Sequence, residues 1–233
     1  MEINEKLMNN LISAIDWDRV KRSDTFSSEA DGEVTSYIDI DAFDCENGIS
    51  KLVLIPRVLS HFVIKIPYRV IWDGDEYDEE NDEYGLYREF SQAPFSGWDY
   101  CASEWMYYCL AKKHHLENFF PKTILYKENP YPIYCQEKCI PFYKVNTHTK
   151  SKEYAEAKAR ELSTTMPKEL KRNFYTLDKN WITDAIDWYG EDQLFKLLRF
   201  LADYNITDLH RSNYGYLEET LRPVLIDFSG FYD

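Results

Sequence analysis

The sequence predicts an α+β chain in two parts, an N-terminal lobe of antiparallel strands around one helix and a smaller, mostly helical C-terminal lobe. Three observations carry that prediction. Strand-like apolar segments crowd between residues 34 and 68, in "VTSYIDIDAF" and "KLVLIPRVLSHFVIKIPY", with the turn residues "ENG" between them. One helical segment, "GWDYCASEWMYYCLAKKHH", follows, and after Pro141 apolar residues recur at three and four. A chain of 233 residues that is 44% hydrophobic and 16% aromatic can bury a sizeable core.

Taken in order, Ile3, Leu7, Leu11, Ile12 and Ile15 sit at helical spacing, so a short N-terminal helix is expected, followed by the polar stretch "KRSDTFSSEADGE". These form a first segment, residues 1–33. The lobe of residues 34–140 begins with an antiparallel meander whose last two strands break near Pro56. Next comes "WDGDEYDEENDEYG", dense in Asp and Glu and without an apolar period, which predicts a solvated loop, either a solubilising insertion or a partner-docking or metal-attracting one. The helix at 98–115 carries Trp98, Cys101, Trp105, Tyr108 and Cys109 on a stripe, with two Lys and two His at its C-terminal end, where the helix dipole favours cations. Strands are expected in "KTILYK" and "YPIYCQEKCIPF". The lobe of residues 141–233 holds the helices "SKEYAEAKARELS", "NWITDAIDWYG" and "DQLFKLLRFLADYN", the last with Leu194, Leu197, Leu198 and Leu201 on one stripe.

Charge and cysteine usage narrow the function classes. With 27 Lys and Arg against 41 Asp and Glu, the net charge of −14 repels phosphate backbones and anionic membranes, so direct nucleic-acid or membrane binding is not expected. Cys45, Cys101, Cys109, Cys135 and Cys139 are odd in number and lack C-x-x-C spacing, which suggests neither a disulfide framework nor a zinc site. The N-terminus is mixed and acidic, and no run approaches the roughly 18 apolar residues of a membrane span. A reducing cytoplasm is the expected address.

The chemistry-bearing residues cluster near the end of the chain. "ITDLHRSNYGYL" places Asp208 and Asn213 in a loop after a long helix, and "VLIDFSGFYD" puts Asp227 at the end of an apolar strand. An Asp, four intervening residues, an Asn, and then an Asp-Phe is the layout a phosphoryl-transfer site needs. The first Asp takes or orients the proton of the attacking hydroxyl. The Asn and second Asp supply the hard oxygen ligands that magnesium demands. Upstream, "HFVIKIPY" presents Lys65 within a β-branched strand, and a buried lysine needs a partner; Glu104 in the following helix is the expected carboxylate, with Glu89 of "YREF" the alternative.

With these five positions in this order, the chain resembles the protein-kinase-like superfamily, and most closely its short atypical phage and microbial members and the aminoglycoside-phosphotransferase type, where Asp-Leu-His-x-x-Asn and Ile-Asp-Phe are frequent. The resemblance spans about residue 34 to the C-terminus. It implies a bilobal kinase-like fold with a reduced helical C-lobe. It also implies magnesium- and ATP-dependent phosphoryl transfer to a hydroxyl, with a protein Ser/Thr substrate in the host preferred, in the cytoplasm of a bacterial cell. On this resemblance Asp208, Lys65 and His210 are catalytic, His210 standing where protein kinases usually carry Lys. Lys65 and Glu104 position the α- and β-phosphates, Asn213 and Asp227 hold magnesium, and the backbones of Glu137 and Cys139 meet the adenine.

The departures from the family pattern carry expectations of their own. No G-x-G-x-x-G precedes Lys65, and Gly48 stands alone in "DAFDCENGIS". Ile206-Thr207 replaces His-Arg before Asp208, which removes the arginine that reads a phosphorylated activation loop. Asp227-Phe228-Ser229 replaces Asp-Phe-Gly, and the sequence stops at Asp233, so neither an activation segment nor a peptide-docking platform is expected. The alternatives are a small-molecule phosphotransferase, or a non-catalytic acidic protein that mimics nucleic acid and inhibits a host or defence factor.

Overall fold

The computed structural model describes residues 4–15, 43–47, 51–58, 61–78, 83–90, 100–129, 131–145 and 150–228. The chain divides into two compact units, Met1–Trp105 with Thr123–Gln136, and Met106–Lys122 with Glu137–Asp233. The expected boundary at 140/141 therefore falls at 136/137. Residues 106–122 also go with the second unit.

In the first unit, α1 (Glu5–Ser13) starts at Asn4, whose side chain accepts a hydrogen bond from the Leu7 N–H, and buries Met8, Leu11 and Ile12. These pack with Phe43, Leu52, Leu54, Phe62, Ile64 and Ile66, so the helix expected to stand apart in residues 1–33 is part of this core. Strands β1 (Phe43–Asn47), β2 (Lys51–Pro56), β3 (Phe62–Asp78), β4 (Glu83–Phe90), β5 (Thr123–Lys127) and β6 (Ile133–Glu137) form one sheet in the order β1-β2-β3-β6-β5, with β4 also paired to β3. Pairings β1–β2, β2–β3, β3–β4 and β5–β6 are antiparallel. The expected strand at 34–42 lies outside the described residues.

The acidic stretch corrects an expectation. Its described residues are strand, not loop: β3 runs to Asp78 and β4 starts at Glu83, paired through Trp72↔Leu86, Tyr77↔Tyr84 and Asp78↔Glu83 with a register shift between, and residues 79–82 lie outside the described residues. Strand pairing needs only backbone N–H and C=O groups, and the register sets the two tyrosines among the acids opposite each other.

Helix α2 (Tyr100–Lys113) begins in the first unit and ends in the second. The second unit continues with β7 (Cys139–Pro141), α3 (Lys152–Thr165), α4 (Lys171–Thr176), α5 (Lys179–Tyr189), α6 (Glu191–Asp203), β8 (Tyr214–Leu217) and β9 (Pro223–Leu225). The three strands form an antiparallel sheet in sequence order. Leu194, Leu197, Leu198 and Leu201, the predicted stripe of α6, are fully buried in a core shared with Phe120, Phe174, Trp181 and Phe228. Gly190 joins α5 to α6 at φ 88°, a conformation L side chains rarely adopt. No helix among the described residues is long and apolar enough to cross a membrane.

Candidate functional site

The first set of residues lies wholly in the first unit. Ile64 and Ile66 turn into the core with α1, so strand alternation sends Lys65 to the opposite face of β3. The β2–β3 register sets Val53 opposite Lys65 and Lys51 opposite Pro67, which puts Lys51 on that same face and diagonal to Lys65. Both ammonium groups reach one carboxylate. Lys65 Nζ donates to Glu104 Oε2 at 2.6 Å, and Lys51 Nζ donates to Oε1. Gln136 of β6 gives its two amide hydrogens to Glu104 Oε2 at 3.1 Å and Thr123 Oγ1 at 3.0 Å.

All five residues are buried, Glu104 completely. The buried face of α2 runs through Cys101, Glu104, Tyr108 and Ala111, so Glu104 takes a core position of the helix and Trp105, expected on the stripe, is only half-buried. Among the described residues two cations meet one anion here. The expected Lys65–Glu104 pair is present, and Glu89 stands in β4. Lys51 and Gln136 were missing from the sequence reading. Their signals are the parity of Lys51 with Lys65 across the β2–β3 hairpin, and an amide inside the otherwise apolar "IYCQ".

The second set lies wholly in the second unit. Helix α6 stops where Asn205 takes φ 52°, a left-handed cap that Asn tolerates, and the Ile206 N–H closes on the Leu201 carbonyl at 2.8 Å. Ile206 and Leu209 then plug into the core and leave Asp208 and His210 on the outside of the loop. Asn213, 5% exposed, donates through Nδ2 to the Asp208 carbonyl at 2.9 Å. Its own carbonyl accepts from the Ile226 N–H at 2.8 Å and the Asp227 N–H at 3.3 Å. Asp208, Asn213 and Asp227 are thus drawn together through the backbone, and the wholly buried Phe228 pins the last of them, its ring 4.7 Å from that of Phe120. Among the described residues Asn213 Oδ1 accepts no hydrogen bond.

The Asp208 carboxylate is 38% exposed, with His210 Nε2 3.6 Å from its Oδ1, close enough for charge interaction and too long for a hydrogen bond. His210 Nδ1 accepts from the Ser212 N–H at 3.3 Å, so its ring caps a turn through a peptide N–H. Downstream, the loop is tied to α5. Trp181 Nε1 donates to the Gly215 carbonyl at 2.9 Å, and the Asp178 N–H donates to the Tyr214 hydroxyl at 3.0 Å. Burial raises the Tyr214 hydroxyl above its ordinary range, and burial with the Asp184 carboxylate 2.6 Å away raises Tyr216 far more.

The two connector residues differ. The Glu137 N–H is spent on the Lys122 carbonyl at 3.1 Å, and its carboxylate accepts from the Lys122 N–H at 2.9 Å. Cys139 opposes Leu217 next to the bond from the Glu218 N–H to the Lys138 carbonyl, an alternation that directs the Cys139 peptide groups away from β8. Gly48 and Ser229 lie outside the described residues.

No three of His, Cys, Asp and Glu cluster as a metal centre among the described residues. A magnesium ion asks for less, since it keeps waters and phosphate oxygens and takes one or two carboxylate-type ligands. Asn213 Oδ1 and the half-buried Asp227 carboxylate are hard oxygens on hydrogen-bonded backbone, and they fit that demand. No protein-family model matches the chain, and no curated protein or solved structure does so either.

Proposed function

We propose that this chain is a kinase-like phosphotransferase that moves the γ-phosphoryl group of ATP to a hydroxyl with magnesium, in a bilobal arrangement whose first unit is the strand-rich lobe and whose second is a reduced helical lobe. The observation that carries the reading is the hydrogen-bonded gathering of Asp208, Asn213 and Asp227. The buried pairing of Lys65 with Glu104 agrees with it.

In this reading Asp208, exposed enough to meet an acceptor, receives the hydroxyl proton as the acceptor oxygen bonds to the γ-phosphorus and the bond to the ADP oxygen breaks. Asn213 fixes the Asp208 backbone through Nδ2 and offers Oδ1 to magnesium beside Asp227. Lys65, oriented by Glu104, neutralises phosphate oxygens. Magnesium when bound would spread the developing negative charge. The connector of Glu137 and Cys139 meets the adenine. The acceptor hydroxyl belongs to a protein Ser/Thr or to a small molecule.

Thermal denaturation with and without Mg-ATP, followed by γ-phosphate transfer measured on two variants, tests the proposal. At 100 times its dissociation constant the nucleotide should stabilise the fold by about 2.7 kcal/mol, and EDTA should abolish the effect. Asp208→Asn should keep nucleotide affinity and lose turnover by roughly 10²–10⁴-fold. Asp227→Asn should lose both. The absence of any thermal shift at millimolar Mg-ATP would remove the assignment.

A further inference from the structure

Charge is segregated along this acidic chain. Residues 138–179 hold ten Lys or Arg against five Asp or Glu, while the remaining residues hold 17 against 36. The second unit folds part of that basic stretch around a cleft of about 780 Å³, which also reaches the loop after α6 through His210 and Arg211. Lys152 and Lys179 stand on its walls, and the exposed rings of Tyr143 and Tyr175 line it. Glu156 lies 3.7 Å from Lys179, and Asp178 lies 3.1 Å from Arg211. Lys152 makes no ion pair among the described residues. The lining therefore carries a net positive charge before His210 is counted.

The chemistry that answers this lining is an anion joined to a flat ring. Exposed lysines and an arginine attract phosphate, and exposed tyrosine faces stack on bases. The Tyr143 ring already has Lys144 5.8 Å from its centroid, which leaves Tyr175, 65% exposed, as the open platform. A volume of about 780 Å³ suits a single nucleotide and falls within the range of small-ligand clefts. A polycationic acceptor would meet like charge here. His210 belongs both to the cleft lining and, at 3.6 Å, to the surroundings of the Asp208 carboxylate, so a ligand in the cleft lies one side chain from the proposed base.

We propose that this cleft binds a nucleotide, base on Tyr175 and phosphate among Lys152, Lys179 and Arg211, and presents its sugar hydroxyl as the acceptor. The acceptor role rests on the phosphotransferase reading. In the step, the sugar oxygen bonds to the γ-phosphorus of ATP, ADP leaves, and the hydroxyl proton passes to Asp208. The nucleotide is either free or the end of a single strand.

Calorimetric titration in EDTA, without ATP, tests the cleft separately from the transfer chemistry. The probes are uridine 5′-monophosphate, ribose 5-phosphate and a thymidine hexanucleotide. The mononucleotide should saturate below about 10 mM. Its affinity should fall roughly tenfold or more in Lys152→Ala/Lys179→Ala, as expected for lost phosphate contacts, and about fivefold or more in Tyr175→Ala. Lys168→Ala, outside the cleft lining, should leave it unchanged. A hexanucleotide that binds more tightly than the mononucleotide, with the same dependence on the variants, would support the site and assign it to strand ends. No saturation by either nucleotide, equal binding of ribose 5-phosphate, or indifference to the three substitutions would overturn the proposal. Failure of Mg-ATP to bind, with the titration intact, would overturn the acceptor role alone.

Discussion

Glu104→Gln is the sharpest test of how the buried lysine pair is held. The substitution keeps shape and hydrogen-bonding capacity but removes the carboxylate that both Lys51 Nζ and Lys65 Nζ reach, both lysines being at most 6% exposed. Breaking a buried ion pair from one side costs about 3–5 kcal/mol, because the remaining charge is left without compensation. Here two ammonium groups lose the same carboxylate at once, so the upper part of that range is expected, against a total stability of roughly 5–15 kcal/mol for a natural domain. In a chain of this length each kcal/mol moves the midpoint by about 2–4 °C, so the melting temperature should drop by roughly 6–20 °C.

The triple change Lys51→Met, Lys65→Met and Glu104→Leu removes the charges and fills the space. It should cost the fold about 1 kcal/mol or less, or even stabilise it, since a buried ionic cluster seldom outweighs well-packed apolar side chains of similar volume. Denaturant unfolding followed by far-ultraviolet circular dichroism gives both values. A Glu104→Gln penalty under about 1 kcal/mol, or a triple variant less stable than Glu104→Gln, would refute the view that one carboxylate holds two buried lysines.

Two further outcomes follow from single positions. A Cβ on Gly215 would sit 2.1 Å from the Ile140 carbonyl oxygen and 2.9 Å from the Phe142 nitrogen, both backbone, so no rotamer can relieve the clash. Gly215→Ala should separate β8 from β7 at a cost of about 3 kcal/mol or more in unfolding measurements, and a neutral result would contradict the close strand approach. Burial pushes the Cys135 thiol from its ordinary 9.0 to about 12. Because the native state then keeps a proton that the unfolded chain releases, stability present below pH 9 is lost as pH rises towards 12, by an order of 4 kcal/mol in all. Between pH 8 and about 10.5 the loss in Cys135→Ala should be smaller than in wild type by about 2 kcal/mol, and equal losses would refute the shift.

The parts legible in the sequence were those whose signal is local. The α6 stripe, the α2 segment, the break near Pro56 and the order Asp208, Asn213, Asp227 each need only a window of residues and a period. Less legible were features set by register or by pairing across the chain. Lys51 joins Glu104 because β2 and β3 align Lys51 with Pro67, a fact no window contains. Similarly, "DGDEYDEENDEY" reads as solvated loop by composition, yet its described residues pair as strands, Tyr77 in register with Tyr84 and Asp78 with Glu83, a pairing composition does not report. The unit boundary was displaced for the same reason: Gln136 belongs with Glu104 and Thr123 through its side chain, while Glu137, one residue on, turns its carboxylate to the Lys122 N–H.

Stability alone gives little reason for the positions on which the functional reading depends. Asn213 occupies a buried site where an apolar residue would avoid desolvation, and its Nδ2 bond to the Asp208 carbonyl offsets part of that cost. Its Nδ2 bond to Asp208 and its carbonyl bonds to Ile226 and Asp227 lock loop and strand together, but a carbonyl needs no asparagine. Only the side-chain amide is specific: it uses one end to fix the residue proposed as base, and in the proposed reading the other end meets magnesium. The same logic applies to Lys51, Lys65 and Glu104, a charged cluster inside a core that apolar residues would fill at less cost. Departures of this kind from the most stable choice, concentrated at two places and of types suited to phosphate and magnesium, are what the proposed phosphotransferase reading requires. A variant carrying Asn213→Leu offers the direct comparison: equal or higher stability with lost Mg-ATP binding supports that demand, whereas a large loss of stability would make Asn213 a structural lock and nothing more.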